Sequence, residues 1–207
     1  MFLGDVVVIG AGGHAKVVIS TLIAAGYNVV AAFDDDLSKK GKRIRGVEIV
    51  GSIDSVQTQP CSRGVITIGN NRTRAAMVTR LPFMQWISVV HPQALVDNSV
   101  EIGKGTVIFA GAVIQPDAVI GEHVIINTGA TVDHDCHLGD FVHVAPGCHL
   151  GGGVHLGQGS FLGIGSAVIP YRRVGAWATV GAGGVVVNDI PQNIVAVGVP
   201  AKPKKAQ

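Results

Sequence analysis

From Val90 to Val186 every sixth residue is Val, Ile or Leu, seventeen positions in one unbroken frame. A period of six is neither the 3.6 of an amphipathic helix nor the 2 of a half-buried strand. It predicts a parallel β-helix in which each hexapeptide is a short strand plus a corner, and three hexapeptides close one coil. The aliphatic position fills the interior. The fifth position, which includes Ala112, Ala130, Cys136, Cys148, Ser160 and Ala178, is mostly small and packs behind it. Gly follows the aliphatic residue directly at eight places, among them Gly103, Gly121, Gly139, Gly151 and Gly157. These glycines are expected to ease corners that need unusual backbone angles.

Before the repeat the pattern changes to strands alternating with helices. VVVIG (6–10), NVVAAFDDD (28–36), GVEIVG (46–51) and GVITIG (64–69) read as strands. HAKVVISTLIAAG (14–26) reads as a helix with Val17, Val18 and Leu22 on one face, and NNRTRAAMVTRL starts another. Such alternation implies a small parallel sheet. The expected organisation is an α/β Rossmann-like half domain over 1–88, a β-helix over 89–191 and a tail over 192–207.

The turn GAGGHAK (10–16) lies between strand and helix, where glycines let backbone approach a phosphate at a helix N-terminus. Asp34 follows at the spacing of a ribose-binding carboxylate. Eighty-eight residues supply only half of the doubly wound sheet that a dinucleotide spans. A mononucleotide or nucleotide-sugar fits that sheet better than a nicotinamide cofactor.

Composition narrows the class further. Hydrophobic residues make up 47% and charged residues 14%, too apolar for a disordered chain. A formal net charge of +2 gives no reason to expect nucleic acid or a membrane surface as partner. Cys61, Cys136 and Cys148 are odd in number and lack CxxC spacing, so a disulfide framework is not expected and a reducing cytoplasm is. Neither a signal sequence nor a membrane span is expected.

Five histidines crowd the stretch TVDHDCHLGDFVHVAPGCHLGGGVHLG: His134, His137, His143, His149 and His155. The last four are six apart, so three successive ones point from three different faces. Only residues eighteen apart stack, as His137 and His155 would. One chain cannot gather them around a metal, and no metal is expected. His134 stands out of step, inside VDHDC.

The glycine turn, IGNN (68–71), NTGATVDHDC (127–136) and the closing GVPAK (198–202) together resemble one family. It is the bacterial sialic acid O-acetyltransferase and nucleotide-sugar N-acetyltransferase family, within the hexapeptide-repeat acyltransferases. The resemblance covers essentially the whole chain. It implies a left-handed coil, acetyl-CoA as co-substrate, a UDP- or GDP-linked 4-amino-sugar as acceptor, and a homotrimer with its sites between subunits. It also implies site roles. His134 matches the catalytic base, Asp135 the acid beside it, and Asn127 and His143 residues lining the same pocket. Gly152 matches a glycine whose N–H faces the thioester carbonyl. Gly12, Gly13 and His14 match the nucleotide-diphosphate turn, and Asp34 and Asp35 positions near the base and ribose. Gly165, Ala182, Gly183, Pro200 and Lys202 match the coenzyme A groove. Lys204 and Lys205 read as a solvated basic tail.

These residue types suit the chemistry. An amine or hydroxyl attacking a thioester must lose a proton, which a histidine takes at neutral pH. A neighbouring carboxylate fixes its tautomer and stabilises its charged form. O-acetylation of a sialic acid requires the same base and groove. Three other readings are weaker. A γ-class carbonic anhydrase pairs its ligands as H-x4-H, a spacing absent here. A nicotinamide oxidoreductase rests on the glycine turn and Asp34 alone. A non-catalytic nucleotide-sugar-binding protein does not account for HDC and GVPAK together.

Overall fold

A computed structural model describes residues 3–204. The chain divides into two compact units, Met1–Pro92 and Gln93–Gln207. Lys205 lies outside the described residues.

The first unit contains β1 (Gly4–Ile9), α1 (Gly13–Ala24), β2 (Tyr27–Phe33), β3 (Arg43–Ile44), β4 (Val47–Gly51), β5 (Arg63–Ile66), α2 (Asn71–Arg80) and β6 (Gln85–Trp86). They form one sheet in the order β3-β4-β2-β1-β5-β6, parallel except for the β3–β4 hairpin. Central β1 is a continuous apolar run, and Val6, Val7, Val8 and Ile9 are fully buried. That is the signature of a parallel strand covered on both faces.

Two details depart from the sequence reading. The buried face of α1 is Ala15, Val18, Ile19 and Leu22, whereas Val17 points outward at 43% exposure. Strand β2 stops at Phe33 instead of running through the three aspartates. Asp34 accepts the Ala11 and Asp36 N–H groups, and Asp36 accepts that of Ser38. These side chains offer the backbone an alternative to the ladder and end the strand.

The second unit is the left-handed β-helix. Its two-residue strands stack with a period of eighteen into three parallel sheets. The first face carries strands such as Ile125–Ile126, His143–Val144 and Phe161–Leu162. The second carries Thr131–Val132, His149–Leu150 and Ala167–Val168. The third carries Val119–Ile120, His137–Leu138 and His155–Leu156. Ile108, Ile126, Val132, Val144, Leu162 and Val180 are fully buried inside the prism. The C-terminal segment extends the first face: Val195–Val197 pairs with Thr179–Val180, and Lys202–Pro203 folds back antiparallel onto it.

The glycine expectation is corrected by the backbone. None of the glycines directly after the aliphatic position has a positive φ. They lack a side chain because the next coil is too close: a Cβ at Gly103 would lie 2.5 Å from Gly121 C, and one at Gly157 2.5 Å from Ala176 N. The positive φ falls two residues later, at a corner position occupied by Gly105, Asp117, Gly129, Asp135, Gly147, Gly165, Tyr171 and their equivalents. Coil-to-coil distance, not backbone conformation, selects the first set.

Candidate active site

His134 and Asp135 lie on the edge between the second and third faces, in the turn between Thr131–Val132 and His137–Leu138. Asp135 holds the left-handed corner at φ 58°, a region that Asp enters more readily than most residues. This corner turns its carboxylate back to the preceding ring. The His134 Nδ1–H donates to Asp135 Oδ2 at 2.7 Å, and the His134 backbone N–H donates to Asp133 Oδ1 at 2.8 Å. Nδ1 therefore carries the proton and Nε2 is left as the basic nitrogen. The Asp135 hydrogen bond raises the His134 pKa above its ordinary value; desolvation opposes it, and the Asp133 and Asp135 charges add to it.

One coil above His134 sits Gly152. A Cβ there would lie 2.5 Å from His134 Nε2 and 2.6 Å from Cε1. The imidazole edge thus rests in the space that a side chain would fill. The Gly152 N–H has no acceptor among the described residues. His134, Asp135 and Gly152 are brought together. Asp133, not singled out from sequence, joins them; its place in VDHD was the available signal.

Asn127 and His143 form a second pair. Asn127 Nδ2 donates to His143 Nε2 at 3.3 Å, and the buried His143 ring meets Phe161 edge-on at 5.2 Å. This pair is not near His134. Asn127 occupies the edge between the first and second faces, and His143 the first face, which lies opposite the His134 edge of a three-sided prism. Gly165, Ala182 and Gly183 share the Asn127 edge, are exposed, and occupy the last two of its coils. Pro200 and Lys202 are exposed beside them, where the Ala201 N–H donates to Val185 O at 2.7 Å.

The other histidines have structural partners. His137 and His155 stack with ring centroids 4.9 Å apart, and His149 Nδ1 meets Thr131 Oγ1 at 2.9 Å. Burial raises both prism thiols, Cys136 to about 11, so neither is an available thiolate at neutral pH.

In the α/β unit, Gly12, Gly13, His14, Asp34 and Asp35 line one cavity of about 390 Å³. Gly12 caps α1, and the N–H groups of Gly12 and Gly13 have no acceptor among the described residues. Asp34 acts partly as an internal clamp: besides Ala11, it holds the Lys39 ammonium at 3.0 Å. Burial pushes its carboxyl up, but the Asp36, Ala11 and Lys39 donors hold it below the usual value. Asp35 is bound by both terminal nitrogens of Arg80, at 2.6 and 3.2 Å. Burial, reinforced by the Arg74 charge, lowers His14 to about 4, so it is neutral at pH 7. Arg74 is itself 1% exposed, donating to Ile68 O, Gly69 O and Asn71 Oδ1. Sequence reasoning missed Arg74 because a mid-helix arginine ordinarily reads as solvated.

Residues 5–81 match the PglD N-terminal domain, and residues 99–134 match the bacterial transferase hexapeptide (six repeats). A solved structure of GDP-perosamine N-acetyltransferase from Caulobacter crescentus, a histidine-to-alanine variant in complex with coenzyme A and GDP-perosamine, is 44% identical. Its TM-score is 0.94, and the match covers 99% of this chain and 98% of that one. The chain belongs to the bacterial nucleotide-sugar N-acetyltransferase family. A second structure with this family's fold, the acetyltransferase domain of PglB from Neisseria gonorrhoeae in complex with acetyl coenzyme A, is 37% identical. It has a TM-score of 0.91 and covers 97% of this chain and 98% of that one. UDP-N-acetylbacillosamine N-acetyltransferase from Bacillus subtilis is 39% identical over 111 residues. That match is 51% of this chain and 51% of the relative; a second curated relative is matched over 21% of its length. Among the described residues no helix is long and apolar enough to cross a membrane.

Proposed function

We propose that the protein transfers the acetyl group of acetyl-CoA directly to the 4-amino group of a nucleotide-linked sugar, with His134 as general base. The observation that carries this reading is the His134–Asp135 pair, tautomer fixed and Nε2 turned onto the bare Gly152 backbone. Similarity to acetyltransferases of nucleotide-linked amino-sugars over nearly the full chain supports the substrate class.

The neutral amine attacks the thioester carbonyl carbon, forming a C–N bond and an oxyanion. His134 Nε2 takes the ammonium proton, and Asp135 stabilises the resulting imidazolium. The Gly152 N–H donates to the oxyanion, and His143 of a neighbouring copy assists. The C–S bond then breaks, and the protonated imidazole returns its proton to the coenzyme A thiolate. Transfer is direct, with no acyl-enzyme. The nucleotide diphosphate takes the Gly12 and Gly13 N–H groups at the start of α1, with His14 beside them. Asp34 and Asp35 order that turn and its flank.

His134, Asp135 and Gly152 occupy one prism edge; Asn127, Gly165, Ala182 and Gly183 occupy another. A second copy with its Asn127 edge against the His134 edge unites them. Such a head-to-tail contact, when its rotation closes after three copies, gives a homotrimer with three sites between subunits. Coenzyme A then lies between the edges, with Pro200 and Lys202 at its far end. The reaction is assigned to the cytoplasm, consistent with three free cysteines.

Release of coenzyme A thiol tests the reading. Purified protein with acetyl-CoA is offered GDP- and UDP-linked 4-amino-sugars and free sialic acid. Thiol release with a nucleotide-linked amino-sugar is expected. Release with sialic acid alone overturns the assignment in favour of O-acetylation.

A further inference from the structure

The corner one coil above His134 reads Gly151-Gly152-Gly153, three glycines in a row. Each is denied a side chain by a different neighbour. A Cβ at Gly151 would lie 2.7 Å from Pro170 Cδ, and one at Gly152 2.5 Å from His134 Nε2. One at Gly153 would lie 2.5 Å from Tyr171 Cδ1 and 2.7 Å from Cε1. The triple glycine is therefore a bare shelf, with the His134 ring laid on it from the coil below and the Tyr171 ring from the coil above. Tyr171 is anchored by its backbone, its N–H donating to Gly152 O at 2.9 Å, while the residue as a whole is 70% exposed.

The edge is also polarised about this shelf. Below it stand the carboxylates Asp97, Asp117, Asp133 and Asp135; directly above it stand Ile169, Pro170 and Tyr171, all exposed, followed by Arg172, which pairs with Asp189 of the next coil. A cationic amino-sugar favours the acidic side before it gives up its proton. The apolar acyl-carrying arm of the donor favours the other. Resting on the functional reading above, we propose that Tyr171, with Ile169 and Pro170, forms the wall that receives the thioester end of acetyl-CoA. Tyr171 is thus a donor-binding residue of this site. Its ring covers the methylene arm next to the thioester, at the coil level just beyond the Gly152 N–H. The ring, not the hydroxyl, supplies the contact, because the ring atoms Cδ1 and Cε1 are what lie against the shelf.

The test compares the wild type with Tyr171→Ala and Tyr171→Phe. Measured are thiol-release kinetics, calorimetric coenzyme A affinity and molecular mass in solution. Tyr171→Ala is expected to raise the acetyl-CoA KM and the coenzyme A Kd about tenfold, with the amino-sugar KM and the assembly mass unchanged. Tyr171→Phe, which keeps the ring, is expected to bring the coenzyme A Kd back to within about twofold of the wild type. Unchanged donor affinity in Tyr171→Ala overturns the proposal, as does a rise confined to the amino-sugar KM or a loss of affinity explained by dissociation into monomers. A wild type releasing no thiol with any amino-sugar refutes the functional reading instead; the coenzyme A Kd values still decide the role of Tyr171.

Discussion

Nε2 of His134 lies against the α-carbon of Gly152, so close that one added methyl group would stand 2.5 Å from it. Gly152→Ala is therefore expected to push the imidazole from its resting position and cut kcat about a hundredfold, the scale of an ångström-size misplacement. Gly41, at φ 78° in open space in the other unit, is the control. Gly41→Ala is expected to cost about 1 kcal/mol of stability and leave turnover intact. Denaturation curves and steady-state kinetics on both variants check the contrast.

Asp135 fixes the proton on Nδ1 and raises the pKa of His134. The base works only when deprotonated, so the acid limb of kcat/KM tracks that raised value. In Asp135→Asn the hydrogen-bonded charge is gone and the pKa falls. The acid limb is expected to move to lower pH while kcat drops at least about tenfold. A pH–rate profile that keeps its acid limb in place contradicts the role given to Asp135.

The repeat and the α/β pattern were legible because both are periodic: Val90 to Val186 never slip, and β1 is an unbroken apolar run. The eighteen-residue coil also foretold the His137–His155 stack. What misled was non-local. Gly103 and Gly157 look like turn glycines, yet their constraint is the backbone of the next coil. Val17 fits a helical stripe but faces outward, since the buried strip of α1 is centred on Ala15, Val18, Ile19 and Leu22. Arg74 was invisible because its burial depends on carbonyls at Ile68 and Gly69. The HDC motif identified His134 and Asp135, but only the prism reveals that Asn127 and His143 sit on the other side of the same chain.

That separation makes subunit sharing testable. Mixing inactive His134→Ala and Asn127→Ala chains under conditions that exchange subunits is expected to restore activity. With random assembly about a quarter of the sites receive both intact edges. Failure to regain activity after demonstrated exchange contradicts a site built from two copies.

His14 offers a readout in the other unit. Its pKa is lowered to about 4 by burial, with the Arg74 charge adding. The unfolded chain then binds more protons than the folded one between about 4 and the ordinary 6.5, so stability is expected to fall as pH drops through that window. An NMR titration should find the His14 ring neutral at pH 6, with its midpoint moving up in Arg74→Met. A midpoint near the ordinary histidine value contradicts this environment.

The central claim is that His134 takes the proton of the attacking amine. The most direct measurement is single-turnover acetyl transfer by His134→Ala, alongside calorimetric binding of coenzyme A and nucleotide-sugar. Transfer is expected to slow by at least about a hundredfold, the contribution of a positioned base, with both ligands binding as in the wild type. Transfer at the wild-type rate by the alanine variant would contradict it.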